Sequence, residues 1–151
     1  MKILIFSNVH MADCDIPLVS ALQKSKDDVY YLIEMESRGS SGTIIDVPIG
    51  KKHNGIIPAS EYPELGIFSN YLDLSKVFVK NHHRRFRIPF IFEIILSIKT
   101  LFFILRLKFD VIQRTQVFFG TDIILYLFRK KLIKMVHDPF HHSGIVWSKR
   151  N

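Results

Sequence analysis

A short apolar strand, a helix and a second strand fit within the first 33 residues, and that spacing restricts the chain more than any other feature. Lys2-Ile3-Leu4-Ile5-Phe6 is an apolar run of strand length that ends in polar Ser7 and Asn8. Ile16, Val19, Leu22 and Gln23 then recur at roughly helical spacing. With Asp13 or Asp15 as N-cap and Pro17 in the first turn, they predict a helix reaching Lys26. Asp27-Asp28 breaks the pattern, and Val29-Tyr30-Tyr31-Leu32-Ile33 is β-branched and aromatic, as a strand requires. A strand, helix and strand of this combined length form a crossover unit whose two strands run parallel. The expected class is therefore α/β.

The middle of the chain is punctuated by Gly39, Gly42, Gly50, Gly55, Gly66, Pro48, Pro58 and Pro63. Two short runs, 43–47 and 56–57, flank a polar segment and predict a hairpin or an edge excursion of the sheet. Residues 72–79 read as either a strand or a helix starting at Asp73, with the helix preferred. Pro89 opens a long apolar helix, largely buried against the sheet or dipping an apolar edge into lipid headgroups, with the buried form preferred because a sheet needs cover on both faces. Asp110-Val111-Ile112 is a third strand, Gly120-Thr121-Asp122 supplies an N-cap for a helix over 123–131, and residues 131–136 form a buried strand. The whole chain, 1–151, reads as one Rossmann-like, doubly wound domain with a mainly parallel sheet.

Lysine and arginine exceed aspartate and glutamate by 21 to 14, a surplus that attracts phosphate groups. The densest basic cluster, containing Arg84, Arg85 and Arg87, is the candidate for binding an anionic membrane or polyanion. No aromatic-interleaved basic strand or recognition-helix pattern accompanies it, so nucleic acid is not an expected partner. The single cysteine, Cys14, cannot form an internal disulfide, and the apolar N-terminal run is too short for a signal peptide. Glu93, Lys99, Arg106 and Lys108 interrupt the longest apolar stretch, which argues against a spanning helix. The expected location is the cytoplasm or the inner face of the membrane.

Chemistry concentrates where strands end. After residue 136 the chain reads His137-Asp138-Pro139-Phe140-His141-His142-Ser143-Gly144, placing three of the seven histidines within six residues. Open α/β sheets bind ligands at the carboxyl ends of their strands, and histidine donates or accepts a proton near neutrality. Asn8 and His10 follow the first strand, and Arg114 ends the third, where it suits an anionic substrate. There is no GxGxxG and no GxxxxGK[ST], and the histidine spacing matches no standard zinc pattern. Neither a metal nor a resident cofactor is expected.

The order of elements, ending in Lys134-Met135-Val136-His137-Asp138-Pro139 and His142-Ser143-Gly144, resembles the N-terminal domain of a family-4 retaining glycosyltransferase of the GT-B fold. The resemblance spans the chain, although the glycine pair often found after the family's first strand has no counterpart here. It implies that this half mainly binds a glycan or lipid-linked acceptor. His137 would reach across a cleft to the sugar of a nucleotide-sugar donor, with Asp138, His142, Ser143 and Gly144 lining the same loop. It further implies a C-terminal donor-binding domain that this chain does not include, so that the chain alone would not turn over. The rival expectation is a non-catalytic basic module that binds an anionic membrane surface or polyanion through Arg84, Arg85 and Arg87.

Overall fold

The structure is a computed structural model that describes residues 1–36, 43–45, 55–82, 89–115 and 119–135. Its centre is a six-stranded sheet formed by β1 (Lys2–Asn8), β2 (Asp28–Glu36), β3 (Gly55–Pro58), β4 (Val77–His82), β5 (Val111–Arg114) and β6 (Leu132–Lys134). The spatial order is β3-β4-β2-β1-β5-β6, and every pairing is parallel except that of β3 with β4. The fold is thus α/β with a mixed, mostly parallel sheet. The five parallel strands follow an order compatible with a Rossmann-like fold.

Alternation along the strands divides the core into two layers. Ile3, Ile5, Val29, Tyr31, Ile33 and Val79 face α1 (Ala12–Gln23) and the turns of residues 59–76. Leu4, Phe6, Leu32 and Ile112 face α2 (Pro89–Leu107) and α3 (Phe119–Tyr126). Both faces of the central strands are covered, which is why β1 and β2 are apolar at consecutive positions. Aromatic contacts fasten α2 and the turn after it to the sheet: Phe103 of α2 meets Phe78 edge-on at 5.0 Å, and Phe109, just past the helix, meets Tyr30 at 5.4 Å between ring centroids.

Several elements differ from expectation for identifiable reasons. Asp13 and Asp15 do not cap α1; both lie in its first turn, and Met11 occupies the cap position without a side-chain bond. Pro17 lies past that first turn, inside the helix. Residues 72–79 are not a helix: Asp73 caps only one 3-10 turn, Leu74–Lys76, by accepting from the Ser75 amide at 3.1 Å. Val77, Phe78 and Val79 then pair with β2, and this distant partner decides the outcome. The edge excursion is β3, whereas residues 43–45 form no strand and 46–47 lie outside the described residues.

On the other half of the sheet, α3 begins before the anticipated cap and ends sooner, so Thr121 sits inside it with its side chain buried. Among the described residues, the anticipated buried strand over 131–136 is the edge strand β6 with neighbours on one side only, and Ile133 is 54% exposed. Nor is α2 largely buried. Leu96, Thr100 and Ile104 face inward, while Ile94, Ile95, Ile98, Phe102 and Leu105 are exposed. Among the described residues no helix is long and apolar enough to cross a membrane.

Candidate functional site

The parallel strands run outward from β1 in two directions, first through β2 to β4 and later through β5 to β6. Between β1 and β5 the connections leave the carboxyl edge toward opposite faces, α1 on one and α3 on the other. Divergent connections open a crevice at such a reversal, and ligands of open α/β sheets bind there. The residues at its rim are Ser7, Asn8 and His10 from the first connection, and Arg114 and Thr115 from the second.

The two sides are tied together. Phe6 and Arg114 are partners in the ladder, and the Thr115 amide donates to the Phe6 carbonyl at 3.0 Å. Asn8 ends β1 and starts a 3-10 turn, its Oδ1 accepting from the His10 amide at 2.9 Å. That short turn holds Asn8 nearly buried and leaves His10 exposed at the rim. Arg114 is half-buried, and the Met135 amide after β6 donates to its carbonyl at 2.8 Å, so the ends of β5 and β6 also lie side by side.

Thr115 is 6% exposed, and its hydroxyl is buried without a hydrogen-bond partner. A buried hydroxyl left unsatisfied costs roughly 1–3 kcal/mol, and in a native protein it calls for a physical reason.

Beneath α3 lies a second polar group that the sequence reading did not single out. Asn8, Glu34 and Lys80 are at one level across β1, β2 and β4, each the ladder partner of the next. Lys80 Nζ donates to Glu34 Oε1 at 2.5 Å and also to Thr121 Oγ1, which in turn donates to the same Glu34 oxygen at 2.7 Å. The ammonium stands 5.6 Å from the centroid of the Phe6 ring. This triad fixes the start of α3 over the sheet, and so sets one wall of the crevice. In the sequence Glu34 and Lys80 are only single charges that follow apolar runs, and nothing local shows that they meet.

On the opposite face, Ser7 Oγ and the Tyr31 hydroxyl lie 3.3 Å apart near buried Asp15. Burial pushes the Tyr31 hydroxyl far above its usual value, the Asp15 carboxylate adds to the effect, and the Ser7 bond offsets part of it. Tyr31 therefore stays protonated and serves as a fixed polar support. The exposed thiol of Cys14 is also raised, by loss of solvent and then by Asp13, which makes it a poor nucleophile at neutral pH.

Of the sequence candidates, the structure brings Asn8, His10 and Arg114 together at the β1 and β5 ends. His137, Asp138, His142, Ser143 and Gly144 lie outside the described residues, as do Arg84, Arg85 and Arg87. The strand that leads to His137, β6, is parallel to β5 and ends at Lys134 on the same edge. The chain matches no protein-family model, no curated protein and no solved structure. Among the described residues, no three His, Cys, Asp or Glu side chains are grouped so as to hold a metal ion.

An amide side chain, an imidazole, a guanidinium and a buried hydroxyl around one crevice suit a ligand that carries both hydroxyls and an anionic group.

Proposed function

We propose that this chain is the acceptor-side lobe of a glycosyltransferase of the GT-B type, acting in transfer of a sugar from a nucleotide-sugar donor to a glycan or lipid-linked acceptor. The observation that carries the reading is the juxtaposition of Asn8, Arg114 and the unpartnered Thr115 hydroxyl at the reversal point between β1 and β5. Sugars present hydroxyls for Asn8 and Thr115, and a phosphate-bearing acceptor presents an anion for Arg114. In this reading His137, which comes after β6 in the sequence, contacts the donor sugar. Cleavage of the sugar–phosphate bond builds positive charge on the sugar and negative charge on the departing phosphate, so polar and cationic residues on one edge serve both. A second lobe across the crevice holds the nucleotide.

The test is calorimetric titration of the purified chain with a water-soluble sugar phosphate and, separately, with nucleotide sugars. The sugar phosphate is expected to bind, and Arg114→Gln to weaken it at least tenfold, as loss of a charged hydrogen bond of about 1.5–3 kcal/mol requires. Nucleotide sugars are expected to bind more weakly than the sugar phosphate. Absence of sugar-phosphate binding, or binding unchanged in both Arg114→Gln and Asn8→Ala, overturns the reading.

A further inference from the structure

Helices α2 and α3 each lead into a strand that runs parallel to β1, so both return to the amino edge of the sheet, the edge opposite the crevice. The turn before β5 and the turn before β6 lie side by side there. Lys131 Nζ donates to the Phe109 carbonyl at 2.8 Å, and the Ile112 amide donates to the Lys131 carbonyl at 2.9 Å. Five cations come together on these turns: Arg106 and Lys108 on the first, and Arg129, Lys130 and Lys131 on the second, all of them exposed.

The two halves of this edge treat their charges differently. Beside β1, β2 and β4 the cations are matched by aspartates: Lys76 Nζ lies 2.7 Å from Asp28 and 3.9 Å from Asp73, and Lys2 Nζ lies 3.9 Å from Asp28. Beside β5 and β6, among the described residues, none of the five cations forms an ion pair. Between residues 103 and 135 the only acids in the sequence are Asp110, whose carboxylate accepts from the Lys2 amide at 2.7 Å, and Asp122 in the opening turn of α3. Glu93, the acid of α2, precedes Arg106 by about 20 Å along the helix axis, well beyond the screening length of about 8 Å at physiological salt. The negative end of a helix favours a cation, but two helix ends do not account for five. An unmatched surplus on one stretch of surface attracts an anionic partner.

The apolar side chains among these cations favour a bilayer over nucleic acid. Tyr126 is 63% exposed and Leu127 69%, just before Arg129 and Lys130. The Arg129 guanidinium stands 5.6 Å from the Tyr126 ring centroid and donates to its hydroxyl at 3.3 Å, so ring and charge are presented together. A leucine offers nothing for a base to stack on or a phosphate to bond, whereas the headgroup boundary of a membrane takes apolar tips and cations at once. We propose that the turns before β5 and β6 dock on an anionic phospholipid surface, with Lys108, Arg129, Lys130 and Lys131 among the headgroup phosphates and Leu127 entering the boundary. None of these residues lines the crevice, so the inference stands or falls apart from the proposed function.

The experiment is sedimentation of the full chain with vesicles of phosphatidylcholine alone and of an equimolar mixture with phosphatidylglycerol, alongside fluorescence anisotropy of a labelled thymidine oligonucleotide. The expected result is binding to the mixed vesicles only, weakened by added salt. Arg129→Gln with Lys130→Gln should weaken it at least tenfold, at about fivefold per cation, and Leu127→Ser several-fold, while the melting temperature of each variant stays at the wild-type value. Lys76→Gln, on the ion-paired half of the edge, should change it less than twofold. No binding to mixed vesicles, equal binding to both vesicle types, binding untouched by the Arg129 and Lys130 pair or by Leu127→Ser, or a loss in Lys76→Gln as large as in that pair overturns the proposal. Oligonucleotide binding that is lost with Arg129 and Lys130, without binding to vesicles, also overturns it and assigns the edge to nucleic acid.

Discussion

Glu34 and Lys80 face one another across neighbouring parallel strands, with the lysine Nζ 2.5 Å from Glu34 Oε1 and neither side chain more than 1% exposed. A fully buried ion pair gains little over an apolar pair of the same volume, but breaking it strands a charge. Lys80→Met alone is therefore expected to lower unfolding stability by about 3–5 kcal/mol, and the double substitution Glu34→Leu, Lys80→Met to recover most of that loss. Urea unfolding of the two variants checks this. A single-variant cost under about 1 kcal/mol would mean that water reaches the pair.

Tyr31 makes stability depend on alkaline pH. Its hydroxyl is raised by burial first and by Asp15 second, so in the folded chain it keeps its proton where the unfolded chain, titrating near 10, loses it. The unfolded state then binds fewer protons, and stability must fall as pH rises. The Tyr31 contribution is fully present below about pH 10 and is lost progressively above it. Urea midpoints measured at pH 9 and pH 11 should differ less in Tyr31→Phe than in wild type. Tyr62, also raised chiefly by burial, leaves a remnant of the slope.

Helix α2 should respond to substitution by face, not by residue type. Ile104, 2% exposed, packs on the sheet beside Phe109 and Ile112, and Ile104→Ala is expected to cost about 2–5 kcal/mol. Two positions earlier, Phe102→Ser is expected to change stability by less than about 0.5 kcal/mol, as surface substitutions do. Thermal melts of both variants decide the point. An equal loss at the two positions would place Phe102 against protein.

The residue that follows α2 has a backbone cost of its own. Lys108 adopts φ 54°, in the left-handed region where a Cβ crowds the following carbonyl, while its amide donates to the Ile104 carbonyl at 3.1 Å. Lys108→Gly keeps the helix-ending bond and relieves the crowding, so it should raise stability by about 1 kcal/mol. A lower melting temperature would contradict the left-handed geometry.

The elements legible in the sequence are those whose pattern is local. Strands β1, β2 and β5 announce themselves as short apolar runs with polar ends, and α2 by its length after Pro89. Strand β4 was legible only as one of two alternatives, because Asp73 is as good a cap for one 3-10 turn as for a helix; pairing with β2, more than forty positions earlier, makes Val77–His82 extended. The exposed stripe of α2 was hidden for a related reason. A helix apolar on nearly every side gives no hint of which face the sheet will cover.

The site divides along the same line. Asn8 and Arg114 stand at strand ends that the sequence marks, so their meeting at one edge follows once the sheet order is known. Thr115 and the Glu34–Lys80–Thr121 triad depend on register between distant segments, which no local pattern encodes.

The central claim is that ligand enters the carboxyl edge between β1 and β5. Its most direct test is amide chemical-shift mapping of the isotopically labelled chain titrated with a sugar phosphate. The expected result is that the largest saturable shifts fall on Asn8, Val9, His10, Arg114 and Thr115 and vanish in Arg114→Gln. Saturable shifts centred instead on the opposite edge, around Lys2 and Asp110, would contradict it.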